Sequence, residues 1–463
     1  MDISSQLLPL CDPIQRAIAD FSNHTDVNEL LEAIRRELIQ FAETLIVSVV
    51  QPLLVSKEFV EKLKAIGAQK ALRFNSYRYV SVRLISGKQI VLRSPYFIKT
   101  HSKNRRKRKK ENGGGHLALQ WLGFVDRVSM QLASVACQAA LLCPSFEIAR
   151  QTLTHHGIEL GVKTLQRILK RIGGQAMDHR STITLNDTDT ANGRTVLVCL
   201  DGGRLRERKA KRGRRALGQK RQGYYTDWRE PTQIVIQFFN ADGSQCDDFL
   251  PIYDATMGDI DQVFALIEKY LCELDITKAE HVVFCADGAR RYWKRIGPLA
   301  EKLEIAVCFE VIDYTHAKQN LVSIIEKLPK SMNPRQVVKT TKQWHDLLWK
   351  GDLHEIQNQI KQLITSRTKR KQALSKFKNY FLTNFHRMQY TGFRYFNVTT
   401  GSGCVESAIR RVINLRLKSP GIFWKRDTAE IMLFLRSTLL CGRWNHMLVN
   451  LLADNRGQFQ AFS

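Results

Sequence analysis

Two aspartates close apolar runs in this sequence. Asp201 ends "RTVLVCLDG" and Asp287 ends "HVVFCADG", each followed at once by glycine. A charge at the tip of a buried strand is costly unless something offsets it. A divalent cation can do so, since a hard ion such as Mg2+ takes oxygen ligands and keeps part of its water. A third acid, Glu406, lies in the first turn of the helix expected over "GSGCVESAIRR". Carboxylates on two neighbouring strand tips and a nearby helix can hold two ions about 3.5–4 Å apart, one activating a water or 3′-hydroxyl, the other stabilising the leaving oxygen. That suits phosphodiester chemistry, in which the protein chiefly positions groups and neutralises charge. Taken singly, each residue has a plainer reading. Asp-Gly is an ordinary turn dipeptide, and an acid in a first helical turn complements the helix dipole. The joint pattern favours metal.

The charge balance points the same way. Seventy-one Lys and Arg against 44 Asp and Glu leave the 463-residue chain at +27, an excess that calls for a polyanion, most commonly nucleic acid. The excess is clustered. "KNRRKRKKENGGGH", with Arg105, Arg106 and Arg108, reads as a flexible basic arm. "RLRERKAKRGRRALGQKR" has ten Lys or Arg in eighteen residues, among them Arg212, Arg214 and Arg215, and leaves the Asp201 strand directly. Both are expected to contact phosphates, as are Arg410 and Arg411 beyond Glu406, so binding should weaken steeply with salt. The glycines of "GSG" are expected to let the chain turn sharply into the Glu406 helix.

The elements that must position these groups follow from periodicity. Residues 1–72 read as helical, and 73–115 as a β-hairpin around Ser86-Gly87 followed by the basic arm. An apolar helix is expected over about 117–142. Within 116–175, "PSFEIARQTLTHHGIELGVKTLQRILKRIG" gives two short amphipathic helices broken at Gly157, a helix-turn-helix pattern. Lys163, Thr164, Gln166, Arg167 and Lys170 fall on the exposed face of the second helix, where bases and phosphates are reached. From 192 to 315, three hairpin-compatible strands precede β-α-β units, which describes a mixed sheet rather than a doubly wound nucleotide fold. Residues 316–399 turn wholly helical, 400–445 carry Glu406, and 446–463 are expected to form a tail. The fold class is thus multidomain α+β/α.

Other features restrict the class. The first residues lack the basic start and apolar core of a signal peptide. No apolar run is read as reaching membrane-spanning length; the best, "LALQWLGFVDRVSMQLASVACQAALL", is interrupted by Asp126 and Arg127. Ten cysteines without a C-x-x-C pair suggest reduced, mostly buried thiols in the cytoplasm.

Five segments in order, "LVCLDGGRLRER", "VVFCADGARRYW", "VIDYTHAKQNL", "GSGCVESAIRRVINLRLKSPGIFW" and "LLCGRW", resemble the catalytic core of bacterial insertion-sequence transposases of the DDE class. The similarity spans roughly residues 145–445. It implies an RNase H-like core interrupted by an all-helical insertion before the glutamate. It implies a metal-binding triad of Asp201, Asp287 and Glu406 with two Mg2+ ions, for which Mn2+ can substitute. It also implies site roles for Arg204 and for Asp313 and His316, which match a D-x-x-H element. Asp313 could equally cap the following helix, and His316 could be a packed polar residue. The activity implied is binding of terminal inverted repeats, cleavage at the ends and transfer of 3′-hydroxyls to target DNA. Synapsis implies a homodimer or higher oligomer, nucleoid-associated in a bacterial cytoplasm, with no membrane partner. Some relatives carry a cysteine-rich zinc element ahead of the helix-turn-helix, which is missing here. A non-catalytic DNA-binding repressor and a structure-selective nuclease of the same fold are the alternatives.

Overall fold

The computed structural model describes residues 12–21, 26–100, 114–215, 218–219 and 222–460, with side chains to 453. The fold is mixed α and β. The described residues up to Asp178, with those from Leu448 on, form one compact unit, and His179–Met447 form the other. Arg105, Arg106 and Arg108 lie outside the described residues.

In the first unit, helix α1 (Val27–Val55) starts at Asp26, whose side chain caps the amide of Asn28, and α2 (Lys57–Gln69) follows. Strands β1 (Leu72–Arg83) and β2 (Gln89–Lys99) pair antiparallel, as the alternating pattern predicts. Gly87 at their turn has φ +78°, and a Cβ there would lie 2.7 Å from the Glu159 carbonyl oxygen, so only glycine fits. Buried Glu43 of α1 accepts hydrogen bonds from the amides of Ile85 and Ser86 and from the Ser86 hydroxyl, each 2.8 Å. This ties the helix to the hairpin tip. Leu54, Leu63, Val82, Leu92 and Phe97 form the core beneath.

Three expectations need correction. First, α1 is long and apolar enough to cross a membrane, by length and composition alone. The charges that mask this lie toward its start: Glu29, Glu32, Arg35, Arg36 and Glu37. Second, the helix expected over about 117–142 is broken into α3 (Leu117–Trp121) and α4 (Met130–Leu142) by the short strands β3 (Phe124–Val125) and β4 (Val128–Ser129). Asp126 and Arg127 take left-handed conformations, φ 49° and 65°, and make the two-residue turn between them. Third, most of the segment expected as a tail is helical, Trp444–Gln460.

Helices α5 (Phe146–His155) and α6 (Val162–Met177) are joined by a turn in which Gly157 has φ +74°. The left-handed residue ends the first helix without a Cβ penalty. Helix α6 buries Leu165, Ile168, Leu169 and Ile172. Lys163, Gln166, Arg167 and Lys170 are exposed and Thr164 is half-buried. Arg167 is held 2.9 Å from Asp126.

The second unit is built on a five-stranded sheet in the order β11–β10–β5–β8–β9. Its members are β5 (Thr195–Gly202), β8 (Thr232–Phe239), β9 (Ile252–Thr256), β10 (His281–Ala286) and β11 (Cys308–Ile312). Strands β5, β10 and β11 run parallel, while β8 is antiparallel to β5 and β9 to β8. Helices α7 (Ile260–Glu273) and α8 (Arg290–Lys302) connect β9 to β10 and β10 to β11. A separate hairpin, β6 (Leu205–Ala210) and β7 (Tyr224–Arg229), rises from the end of β5. The sequence reading treated this stretch only as a basic block. After β11 and α9 (Tyr314–Ile325) come α10 (Pro334–Lys350), α11 (Leu353–Leu363) and α12 (Arg367–Phe377). Trp344 is wholly buried here, its indole N–H bonded to Gln359 at 2.7 Å. The chain then returns to the sheet through α13 (Gly403–Ile409) and α14 (Arg426–Leu440).

Candidate active site

Strands β5 and β10 are parallel and in register, with Cys199 opposite Cys285 and Leu200 opposite Ala286. The next residue on each chain is the acid. Asp201 and Asp287 therefore leave adjacent strands at one level, where neighbouring strands lie about 4.8 Å apart. Because side chains alternate along a strand, Cys199 shares a face with Asp201, and Cys285 with Asp287. Cys404, in the first turn of α13, touches Cys199 with sulfur to sulfur 3.4 Å. That contact sets α13 on the sheet face that bears both aspartates. Glu406, two residues on, is exposed beside them.

The glycines after the acids are needed for close packing rather than for a positive φ. Neither Gly202 nor Gly288 has a positive φ. A Cβ on Gly288 would stand 2.2 Å from the ring of Tyr380, which comes from the helical insertion. Tyr380 is thus packed against the Asp287 turn, a neighbour that sequence gave no signal for. The expected reason for Gly401 and Gly403 is not met, since neither has a positive φ and a Cβ on either would meet nothing within 4 Å.

Asp313 does more than cap a helix. One of its oxygens, Oδ2, accepts from the amide of His316 at 2.9 Å, capping α9, and from His316 Nδ1 at 2.9 Å. The other, Oδ1, accepts from the amide of Ser402 at 2.8 Å, at the start of the Glu406 helix. One buried carboxylate therefore joins β11, α9 and α13. Burial works to raise its pKa, but the donors from His316 and Ser402 hold it below the usual value. His316 is raised, first by its bond to Asp313 and then, against its own burial, by the charges of Asp313, Asp201 and Asp287. Asp201 is raised, by burial first. The Gly202 amide and His316 oppose this, and Asp287 and Glu406 reinforce it. These electrostatic couplings put Asp201, Asp287, Glu406 and His316 in one neighbourhood.

Ligand atoms of Asp313, His316 and Glu406 lie within 4.8 Å of one another, so this cluster could hold a metal ion. Asp313 is a poor ligand, because both its oxygens already accept strong donors. Asp201 and Asp287 are not part of that group, but with Glu406 they offer less committed oxygens, and a hard cation would offset the burial, and then the repulsion, that raise Asp201. An all-oxygen donor set of this kind would suit a hard divalent cation.

The remaining expected site residues are placed as follows. Arg204 is exposed between β5 and β6, and Arg212, Arg214 and Arg215 are exposed between β6 and β7. Arg410 is exposed, whereas Arg411 turns inward, its guanidinium 5.2 Å from the ring of Tyr253. The pair expected to face phosphates is split by a π-helical turn, Arg410–Asn414. Trp293 and Trp424 are buried with their indole N–H groups on the carbonyls of Asp287 and Leu417. Trp349 stacks on Tyr390. These tryptophans are packing anchors.

No family model matches the chain, and no curated protein does. Among solved structures it is similar to the Drosophila P element transposase strand transfer complex, with 12% identity, a TM-score of 0.25, and coverage of 69% of this chain and 80% of that one. A likeness at that score carries no argument, and the functional reading rests on the site itself.

Proposed function

We propose that this chain is a DNA transposase of the DDE class with an RNase H-like core, and that Asp201, Asp287 and Glu406 are its catalytic acids. The observation that carries the proposal is the common register of Asp201 and Asp287 on neighbouring parallel strands, with the Glu406 helix seated on the same face. Supporting it, the three antiparallel strands β5, β8 and β9 followed by two parallel ones match the expected core, and a helical segment interrupts the chain before Glu406.

The three acids would hold two Mg2+ or Mn2+ ions, which when bound supply Lewis-acid stabilisation and an activated water or 3′-hydroxyl. The protein's own part is positioning. Asp313 fixes the Glu406 helix relative to β11 and raises the His316 pKa. The His316 ring lies near the acids, where a phosphodiester would enter. Arg204, Arg212, Arg214, Arg215 and Arg410 are exposed to follow the DNA backbone. The α5–α6 pair would act as a helix-turn-helix on the terminal repeats, with Lys163, Gln166 and Lys170 outward. Assembly as at least a dimer on paired ends, in a bacterial cytoplasm, completes the reading.

The test uses the DNA that flanks the reading frame, supplied as labelled ends with Mg2+. Cleavage followed by joining of the 3′-end to a second duplex is expected. Cutting without joining would instead indicate a structure-selective nuclease. Binding without cutting would indicate a repressor.

A further inference from the structure

The hairpin that leaves the Asp201 strand has two unlike faces. Directly paired residues share a face, and side chains alternate. One face carries Leu205, Glu207 and Lys209 with Tyr225, Asp227 and Arg229. It is internally satisfied, because Arg229 lies 2.7 Å from Glu207 and Lys209 lies 3.7 Å from Asp227. The other face carries Arg206 and Arg208 with Tyr224 and Trp228, and Arg206 stands opposite Trp228. Here cations and rings interleave. The Arg206 guanidinium lies 5.5 Å from the Trp228 ring and 4.6 Å from that of Phe423, and Arg208 lies 5.8 Å from Tyr224. Trp228 is nevertheless 58% exposed and Tyr224 45%.

A two-stranded hairpin alone is marginal in water. This one is anchored along its outer edge: the Arg208 amide donates to the Trp424 carbonyl at 2.8 Å, and the Trp424 amide to the Arg206 carbonyl at 2.9 Å. Arg206 also donates to the carbonyl of Ser419 at 3.0 Å. The anchoring holds the aromatic face rigid and open to solvent. Arg206 is five residues from Asp201, so the face begins within roughly 18 Å of the acids.

We propose that the Arg206–Arg208–Tyr224–Trp228 face is a stacking platform for unpaired bases of a DNA strand lying next to the carboxylate site. This rests on the transposase reading and names its substrate more closely, as DNA with bases released from the duplex. Rings presented beside guanidinium groups suit that ligand: any base can stack on a ring, and an arginine beside it can meet a flanking phosphate. A protein partner is less suited to a face whose only large exposed groups are ringed by positive charge in a chain of net charge +27.

The test measures binding of the full chain to a fluorescent oligothymidylate and, separately, to a duplex of equal length, both in EDTA. Trp228→Ala is expected to weaken the single-strand complex by about 5- to 150-fold and to leave duplex binding within about twofold. Trp228→Phe, which keeps a ring, should restore most of the loss. An unchanged thermal melt of both variants is expected, since Trp228 is exposed. Equal losses on both DNAs, or none, would overturn the proposal. So would preference for oligouridylate, or a Trp228→Ala change in oligomeric state with single-strand binding intact. Because no cation is present, this result is independent of cleavage: failure here leaves the acids untouched, and failure to cleave leaves the platform standing.

Discussion

Asp201 and Asp287 emerge side by side because β5 and β10 are parallel and Leu200 faces Ala286 one residue earlier. Asp201 is raised, by burial first and then by the neighbouring charges of Asp287 and Glu406. For an acid whose folded pKa exceeds its unfolded one, the stability is fully present below the ordinary value, 3.8 for Asp, and is lost as pH rises through the raised value. At neutral pH and without divalent cation, Asp201→Asn should therefore melt higher than the unaltered chain. Mg2+ at about 100 times its Kd should add roughly 2.7 kcal/mol to the unaltered chain and far less to the variant. Calorimetry at pH 4 and pH 7, with and without Mg2+, checks this. A variant that melts lower under all these conditions would contradict it.

Asp313 couples two helix starts through one buried side chain. Asp313→Asn removes the charge that raises the His316 pKa and leaves the Ser402 bond weakened. A loss of about 10- to 100-fold in cleavage rate is expected, together with an acid shift of the His316 titration followed by NMR. An unaltered His316 titration would show that the carboxylate does not act through the ring.

The outward face of α6 is basic but not uniformly free, since Arg167 is paired with Asp126. Lys170→Ala should weaken DNA binding evenly across sequences and reduce the slope of log K against log salt by about one. Arg167→Ala should change that slope less. Equal slopes for all three proteins would remove this helix from the phosphate contacts.

Much of this was legible in the sequence. The core strands were, because a fully buried strand reads as an unbroken apolar run, as in "VLVCL" and "VVFCA". Both strand-end acids and the hairpin at Ser86-Gly87 followed from local pattern. What escaped depends on contacts distant in sequence. The β6–β7 hairpin was hidden because β6 is mostly charged and a long basic loop separates it from β7. The link from Asp313 to Ser402 joins residues with no common motif, and Tyr380 reaches Gly288 from the far side of the insertion. The break at Asp126-Arg127 was visible as charge but was not read as a turn, because Asp and Arg both taking left-handed conformations is uncommon.

Trp344, in the helical segment before Glu406, is wholly buried and bonded to Gln359. Trp344→Ala should cost about 3–5 kcal/mol of stability, measured by denaturant unfolding, with little direct effect on DNA affinity in the fraction that stays folded. A loss under ~1 kcal/mol would contradict the packing role.

The most direct measurement of the central arrangement is Mn2+ binding to the full chain, followed by the loss of the free-ion electron paramagnetic resonance signal. Asp201→Asn, Asp287→Asn and Glu406→Gln are each compared with Asp313→Asn. The three acids acting together require that each of the first three substitutions abolish tight binding, with cleavage falling about 10³-fold or more, while Asp313→Asn only weakens it. Mn2+ bound undiminished by Asp201→Asn and Asp287→Asn but lost in Asp313→Asn would place the ion on Asp313, His316 and Glu406 instead, and the proposed chemistry would be wrong.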